Sequence, residues 1–518
     1  MLYTSLPDNS EEFNEKFVDS EKLKIKNQSI FQKRILGLTS FFKSEQENLL
    51  PKQVLSSTKS PYHFVKVSMS DHQYDTYVKV RGEEVKKDKA MKKKNPDEES
   101  GTSTYRIYSR IACNFAFPPE IPRPHNDDIA EGEEGEEGDK YSGQITEVLE
   151  KLKQNSTRYL SGKNLKTYSP KFLEILTRIR DPAHIGKHLI YSQFRHLEGI
   201  GIFKMVLEEN GFAPFRIFRN TKNNNEWEIV EPAPEDVDKP KYILYTGTES
   251  SEEKEVLLNI YNGNWNLLSR TLAEQLAEIR DGANNVYGKV IKAIMITQSG
   301  AEGINLKNTR YVHIIEPYWN MVRIEQVVGR ARRICSHQDL PKELQTVQVF
   351  FYLSVFSQEQ IRRNRSGEGN KEIDLRDVSK RIKDDRGFVS FTTDQTLLEN
   401  AEMKNEINQQ FLQAMKETSI ECSVYNEEKE SQCFTFKKST SDQFAFNPSL
   451  PQDENEIAET IKVKKKLVRY QDKYAVEPDF AEKDEAVLYD LTAFKQGKLQ
   501  PVGTLQKNAE TDEMEIVL

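Results

Sequence analysis

The chain has 518 residues with 74 Lys and Arg against 82 Asp and Glu, a formal net charge of −8. Charged residues make up 30 % of it, above the usual ~25 %, yet 26 Phe and 21 Tyr supply a core, so wholesale disorder is not expected. No apolar run approaches the ~18 residues of a membrane-spanning helix, and at ~150 residues per compact unit the length suits three or four units.

The first ten residues lack the basic start and apolar stretch of a secretory leader. The four cysteines form no C-x-x-C pair and suit a reducing compartment, so a soluble, non-secreted chain with no membrane partner is expected. The negative balance is local: residues 127–139 (DDIAEGEEGEEGD) hold eight acids and no base, which leaves the rest of the chain neutral. An acidic total therefore does not exclude a nucleic-acid partner.

In chain order, residues 1–165 read as an irregular, helical connecting region. Helical pieces such as 31–43 and 70–81 occur in it, and the region is broken by charged inserts near 85–100 and 126–140. The lysine run at 85–95 has acids beside it and reads as a solvated linker, and the acidic tract as a solvated loop. From 166 to 360 short apolar strands alternate with amphipathic helices. The strands are expected at 188–194, 215–218, 242–246, 293–297, 311–316 and 347–353. The helices are expected at 196–210, 251–261 with a capping box from Ser250 to Glu253, and 319–334. That alternation implies a doubly wound parallel sheet, with ligands outside the carboxyl ends of the strands. Residues 361–518 read as a small appended domain, with a helix at 394–416, a lysine-rich stretch at 461–469 and weaker segments at 487–495 and 501–505.

The informative stretch runs from Thr297 to Pro341. In the loop Gln298 to Leu306, Gly300 and Gly303 allow backbone N–H groups to approach a ligand, although glycine-rich turns are common in α/β proteins. In the helix that follows, Gln326, Arg330 and Arg333 fall at i, i+4 and i+7 on one face, beside an apolar seam of Ile324, Val327, Ala331 and Ile334. Gly329 between them costs a helix about 1 kcal/mol and implies a close approach there. An arginine pair alone is usually a solvated basic face. With the glutamine, the glycine and the preceding loop, two guanidinium forks suit the terminal phosphate of a nucleotide.

The pieces SGAEGINL, Trp319-Asn320 and QVVGRARR (326–333) resemble motifs V and VI of superfamily 2 helicases of the Swi/Snf-like kind. HLIYSQF (188–194) resembles motif IV, and YILYTGTE (242–249) takes the place of the next strand and turn. RICSHQDLP (333–341), with residues 105–118 and 31–42, resembles the transcription-linked ATPases of large nucleocytoplasmic DNA viruses, a group that includes poxvirus nucleoside triphosphatase I and the helicase-like subunit of the early transcription factor.

The resemblance implies an α/β, RecA-like second helicase domain at 166–360, a helical N-terminal region and a small α+β C-terminal extension. It implies that Arg330 and Arg333 contact the γ-phosphate of ATP, with Arg333 as the arginine finger, and that Gln326, Gly329, Glu302, Gly303 and Asn305 border the nucleotide. Ser192, Gln193, Thr246, Gly247, Thr297 and Gln298 would touch the DNA backbone, contacts that carry affinity without sequence readout. ATP and Mg²⁺ are the implied cofactors. DNA, a first RecA-like domain and viral RNA polymerase are the implied partners, in the cytoplasmic viral factory of the host or in the virion.

The 518 residues contain no G-x-x-x-x-G-K-[ST] and no D-E-x-H or D-E-A-D. The phosphate loop and the Mg²⁺-binding acid are therefore expected in a first domain, in another chain or an upstream segment, and the chain alone is expected to be inactive. The competing expectation is a non-enzymatic scaffold that binds DNA or RNA polymerase. Cys335-x-His337 is at most half a metal site and reads as structural, and His188 and His313, in apolar strands, read as core residues.

Overall fold

A computed structural model describes residues 5–20, 22–40, 49–94, 106–124, 136–221, 225–247, 249–279, 284–298, 303–366, 377–384, 387–420, 422, 433, 467–478, 480, 485–496, 498, 500–507 and 514–517. The chain forms two units, one of residues 9–26 with 38–434 and the other of residues 1–8, 27–37 and 435–518.

The larger unit is built on an all-parallel sheet. Its strands are β1 (Lys52–Gln53), β2 (Tyr62–Ser68), β3 (Lys187–Tyr191), β4 (Ala213–Pro214), β5 (Lys241–Tyr245), β6 (Ala293–Ile296), β7 (Thr309–Ile314) and β8 (Thr346–Val355). Across the sheet the order is β8, β7, β3, β6, β5, β4, with β1 and β2 both on the outer edge of β8. The runs KHLIY, AIMI and TRYVHI are buried at every position, as continuous apolar strands covered on both faces must be. Alternation divides them between two cores. Leu189, Ile243, Ile294 and Val312 meet the helices Ser251–Asn262, Arg270–Glu278 and Met321–Ala331 on one face, and Ile190, Tyr242, Met295 and Tyr311 meet Pro170–Arg180 and Ile200–Glu209 on the other. The expected RecA-like doubly wound sheet is present. The Ser250 side chain accepts from Glu253 N–H at 3.1 Å, as its spacing predicts.

The structure adds what the sequence reading left out. The stretch YHFVKVS, given no strand above, is β2 and pairs with β8 from Val349 to Val355. The lysine run read as a linker continues the helix Asp71–Lys94, because Lys, Ala and Met are good helix formers and no proline intervenes before Pro96. The end of the acidic tract begins the helix Glu136–Gln154, and residues 125–135 lie outside the described residues. The helix expected at 394–416 is present as Thr393–Thr418, and the structure adds its start on a full capping box between Thr392 and Gln395. Cys422 and Cys433 are joined in a disulfide, which corrects the expectation of reduced cysteines throughout. In the other unit, strands Val468–Tyr470, Tyr474–Val476, Glu485–Asp490, Pro501–Lys507 and Met514–Val517 form an antiparallel meander around Val476, Leu488 and Leu505. Among the described residues no helix is long and apolar enough to cross a membrane.

Candidate functional site

Three adjacent strands end at the same level. Ile296 of β6 pairs with Tyr191 of β3 and with Tyr245 of β5, so the next residues, Ser192, Thr246 and Thr297, stand side by side at the carboxyl end of the sheet. All three are buried. The Ser192 hydroxyl donates to the Glu316 carboxylate at 2.9 Å, and Gln193 N–H and the Asn114 amide reach the same carboxylate at 2.5 and 3.1 Å. Burial, the largest influence, raises the pKa of Glu316 above the ordinary carboxylate value. Thr246 donates from its N–H and its hydroxyl to Glu249, at 2.8 and 3.1 Å. Of the residues expected to touch the DNA backbone, Ser192, Thr246 and Thr297 have buried side chains, and Ser192 and Thr246 shape their loops through internal carboxylates. The surface there presents Gly247 and Gln298, with Gln193 half-buried and its amide on Pro317 O at 3.3 Å.

The loop after β6 crosses from the carboxyl end of β6 to the amino end of β7. Glu302, with Ser299, Gly300 and Ala301, lies outside the described residues. Gly303 has φ +78°, a conformation that favours glycine. The carbonyl of exposed Asn305 accepts from the Asn262 amide at 2.8 Å. Leu306 N–H then donates to Arg330 O at 3.0 Å, and Asn308 N–H to Ser336 O at 2.8 Å, which binds this loop to the end of the following helix.

That helix, Met321–Ala331, starts where the Asn320 side chain accepts from Arg323 N–H, and it buries Met321, Ile324, Val327, Val328 and Ala331. Gln326 is exposed on its open face, one turn before half-buried Arg330. It ends at Ala331, three residues short of the expected boundary, because Arg332 leaves helical geometry at ψ 85° and sends Nε to Pro51 O. Arg333 is therefore not on a third helical turn. It folds back, Nε donating to Gly329 O at 3.2 Å, and so stays beside Arg330. Ile334, expected in the apolar seam, is exposed for the same reason. Among the described residues, no atom outside its own helix backbone and chain neighbours lies within 4 Å of where a Gly329 Cβ would stand, so none of them requires the glycine.

The sequence reading placed its ligands beyond the strand ends. The arginine pair instead lies at the amino end of the sheet, tied through Leu306 to the start of β7, while Ser192, Thr246 and Thr297 lie at the carboxyl end. The six residues of β7 separate the two groups by about 20 Å. Arg330, Arg333, Gly329 and Asn305 are brought together, and two guanidinium groups beside open space fit the terminal phosphates of a nucleotide. No cluster of His, Cys, Asp or Glu suited to a cation occurs among the described residues, so these residues do not fit Mg²⁺. Both ring nitrogens of His337 are engaged, by Ser336 and by Thr309 O, and it serves the fold. His188 and His313 are buried and joined at 3.0 Å, and His313 meets Tyr352 at 2.8 Å. Sequence reasoning missed Glu316, Glu249 and Asn262. Glu316, the one acid closing the apolar run YVHIIE, was the available signal.

Residues 217–335 match the helicase conserved C-terminal domain, a span that takes in the crossing loop and both arginines. Together with the RecA-like sheet, this match identifies a helicase C-terminal domain within the larger unit. Viral proteins are among the chain's relatives. A putative ATP-dependent RNA helicase of Acanthamoeba polyphaga mimivirus is 26 % identical over 90 % of this chain and 58 % of its own length. A termination factor NPH-I homolog of African swine fever virus is 26 % identical over 82 % of this chain and 54 % of its own. The chain thus spans about half the length of the curated relatives it matches. Among solved structures, the C-terminal part of the Fun30 ATPase domain covers 70 % of this chain and 99 % of its own at 15 % identity, with a TM-score of 0.32.

Proposed function

We propose that the chain is the second RecA-like half of a viral, Swi/Snf-like, DNA-dependent ATPase that acts in transcription, in the viral factory or virion. It lends Arg330 and Arg333 to a nucleotide whose β- and γ-phosphates and Mg²⁺ are held by a first RecA-like domain. One observation carries the reading: a single loop joins the strand-end surface to the arginine pair, Leu306 N–H fastening it to Arg330 O. Motion at the nucleic-acid end is thereby transmitted to the nucleotide end. Polar groups on Gln193, Gly247 and Gln298 supply backbone contacts to the tracked strand, which suits translocation without sequence readout.

The test is reconstitution. The 518 residues alone should show no ATP hydrolysis above background. Supplied with the first RecA-like domain of a relative, fused ahead of residue 1 or added as a separate chain, they should become an ATPase that DNA stimulates. Hydrolysis by the chain alone would contradict the division of labour, and DNA binding with no ATPase in any assembly would favour a scaffold.

A further inference from the structure

The amino end of the sheet carries a row of cations. His188 N–H donates to Lys292 O and Lys292 N–H to Lys241 O, which sets Lys187, Lys292 and Lys241 side by side at the starts of β3, β6 and β5, with Arg310 following on β7. Neighbouring strands are about 4.8 Å apart, so the row is close-spaced. Lys187 Nζ donates to Tyr261 O at 2.7 Å, Lys292 Nζ to His184 O at 3.2 Å, and Arg310 to Ile185 O and the Thr346 hydroxyl. All these acceptors are uncharged. Among the described residues no carboxylate pairs with Lys187, Lys292 or Arg310. Like charges gathered along one edge raise the potential there and favour an anion, an effect that Asp339 partly offsets at Lys187. Burial, and then the like charge of Arg310, push the Lys292 ammonium down to about 8.

Beside this row lies a cleft of about 500 Å³, the size of a small-ligand site. Arg180, Lys289 and Lys292 line it, and its one acid among the described residues, Asp181, turns a carboxylate oxygen to Ala183 N–H of its own loop. The exposed ring of Tyr287 forms part of the wall, and Gly211, at φ +89°, leaves the adjoining space open. The wall also includes Ile179 and Phe212, which pack the face of the sheet opposite the Met321–Ala331 helix.

We propose that this cleft binds a phosphate-bearing ligand of mononucleotide size, with the phosphate between Arg180, Lys289 and Lys292 and the organic part against Tyr287. The proposal is independent of the ATPase reading. The phosphate belongs either to a free nucleotide or to the backbone of a nucleic-acid strand, and the experiment separates the two. Binding of uridine monophosphate and of an eight-nucleotide oligo(dT) to the full chain is measured by calorimetry. The comparison is with Arg180→Gln/Lys289→Gln, two exposed positions whose change spares the core, and with Lys473→Gln/Lys495→Gln, which removes the same charge from the C-terminal unit. The first variant, having lost two charge-assisted contacts, should bind at least about 10-fold more weakly, and the second should bind as the parent does. That pattern with uridine monophosphate identifies a nucleotide site, and with the oligonucleotide alone a strand-backbone site. No binding of either probe by the parent, equal affinities for parent and cleft variant, or an equal loss in both variants would overturn the proposal.

Discussion

At Glu316 a carboxylate with no exposed surface to speak of accepts from Ser192, Gln193 N–H and Asn114. Substituting one of these donors leaves a buried acceptor short of a partner, at about 1 to 3 kcal/mol. Ser192→Ala should therefore lower stability by that amount in urea unfolding. Gln298→Ala, on the surface at the same end of the sheet, should leave stability unchanged and weaken DNA binding a few-fold. If Ser192→Ala alters DNA affinity at unchanged stability, the buried role is wrong. The histidines give a pH dependence with a definite sign. Burial, opposed at His337 by its bond to Thr309 O, pushes His313 down to about 3 and His337 down to about 4, both below the unfolded ~6.5. The unfolded chain then binds more protons than the folded one between these limits. Stability is fully present above pH ~6.5 and falls on acidification, each histidine costing up to ~1.4 kcal/mol per pH unit. His337→Gln should flatten the slope of unfolding free energy between pH 6 and 5, and an unchanged slope would contradict this. The sequence marked His188 and His313 as core residues from their apolar strands. It did not mark Glu316 as the support of the Ser192 loop, because its three donors lie in segments as far apart as Asn114 and Gln193.

Helix Met321–Ala331 shows what periodicity can and cannot supply. Its buried positions follow the apolar spacing, since a stripe at 3.6-residue period must face a core. Its end does not follow from spacing. The carbonyls of Pro51 and Gly329 draw off Arg332 and Arg333, tertiary partners that no helical projection contains. Strand β2 was missed for a related reason, since its pairing partner, β8, lies almost 300 residues away along the chain. Gly329 separates local cost from function. Gly329→Ala adds a methyl group to open space, so it should stabilise the isolated chain by up to about 1 kcal/mol through helix propensity. In the reconstituted ATPase the same change should slow turnover, since on the proposed function the nucleotide and the first domain approach through that open space. A stabilised chain with unimpaired ATPase would show that nothing comes close there.

For the whole molecule, the two groups of candidate residues lie at opposite ends of one sheet about 20 Å apart, with the crossing loop between them. Composition was a poor guide to this, because the acids that set the net charge are gathered in one tract away from the motifs. The glycines, the glutamine and the arginines of residues 298–333 were legible because each residue type is demanded by local geometry or charge. Their assignment to opposite ends of the sheet was not legible, since it depends on the strands before and after the crossing loop both running parallel to Lys187–Tyr191. DNA binding by the assembled protein should weaken steeply as salt rises, phosphate contacts releasing counterions, and binding indifferent to salt would argue against a backbone-tracking surface.

The most direct measurement is the turnover of the reconstituted ATPase with Arg333→Ala, taken beside its nucleotide affinity. An arginine that acts on the transition state contributes ~10³ to 10⁵ in rate, equivalent to roughly 4 to 7 kcal/mol, so kcat should fall by that order while the nucleotide Kd and the folding midpoint hardly move. A loss of less than tenfold, or a parallel loss of nucleotide binding and stability, would show that Arg333 only closes the helix on Gly329 and that the arginine pair does not serve the nucleotide.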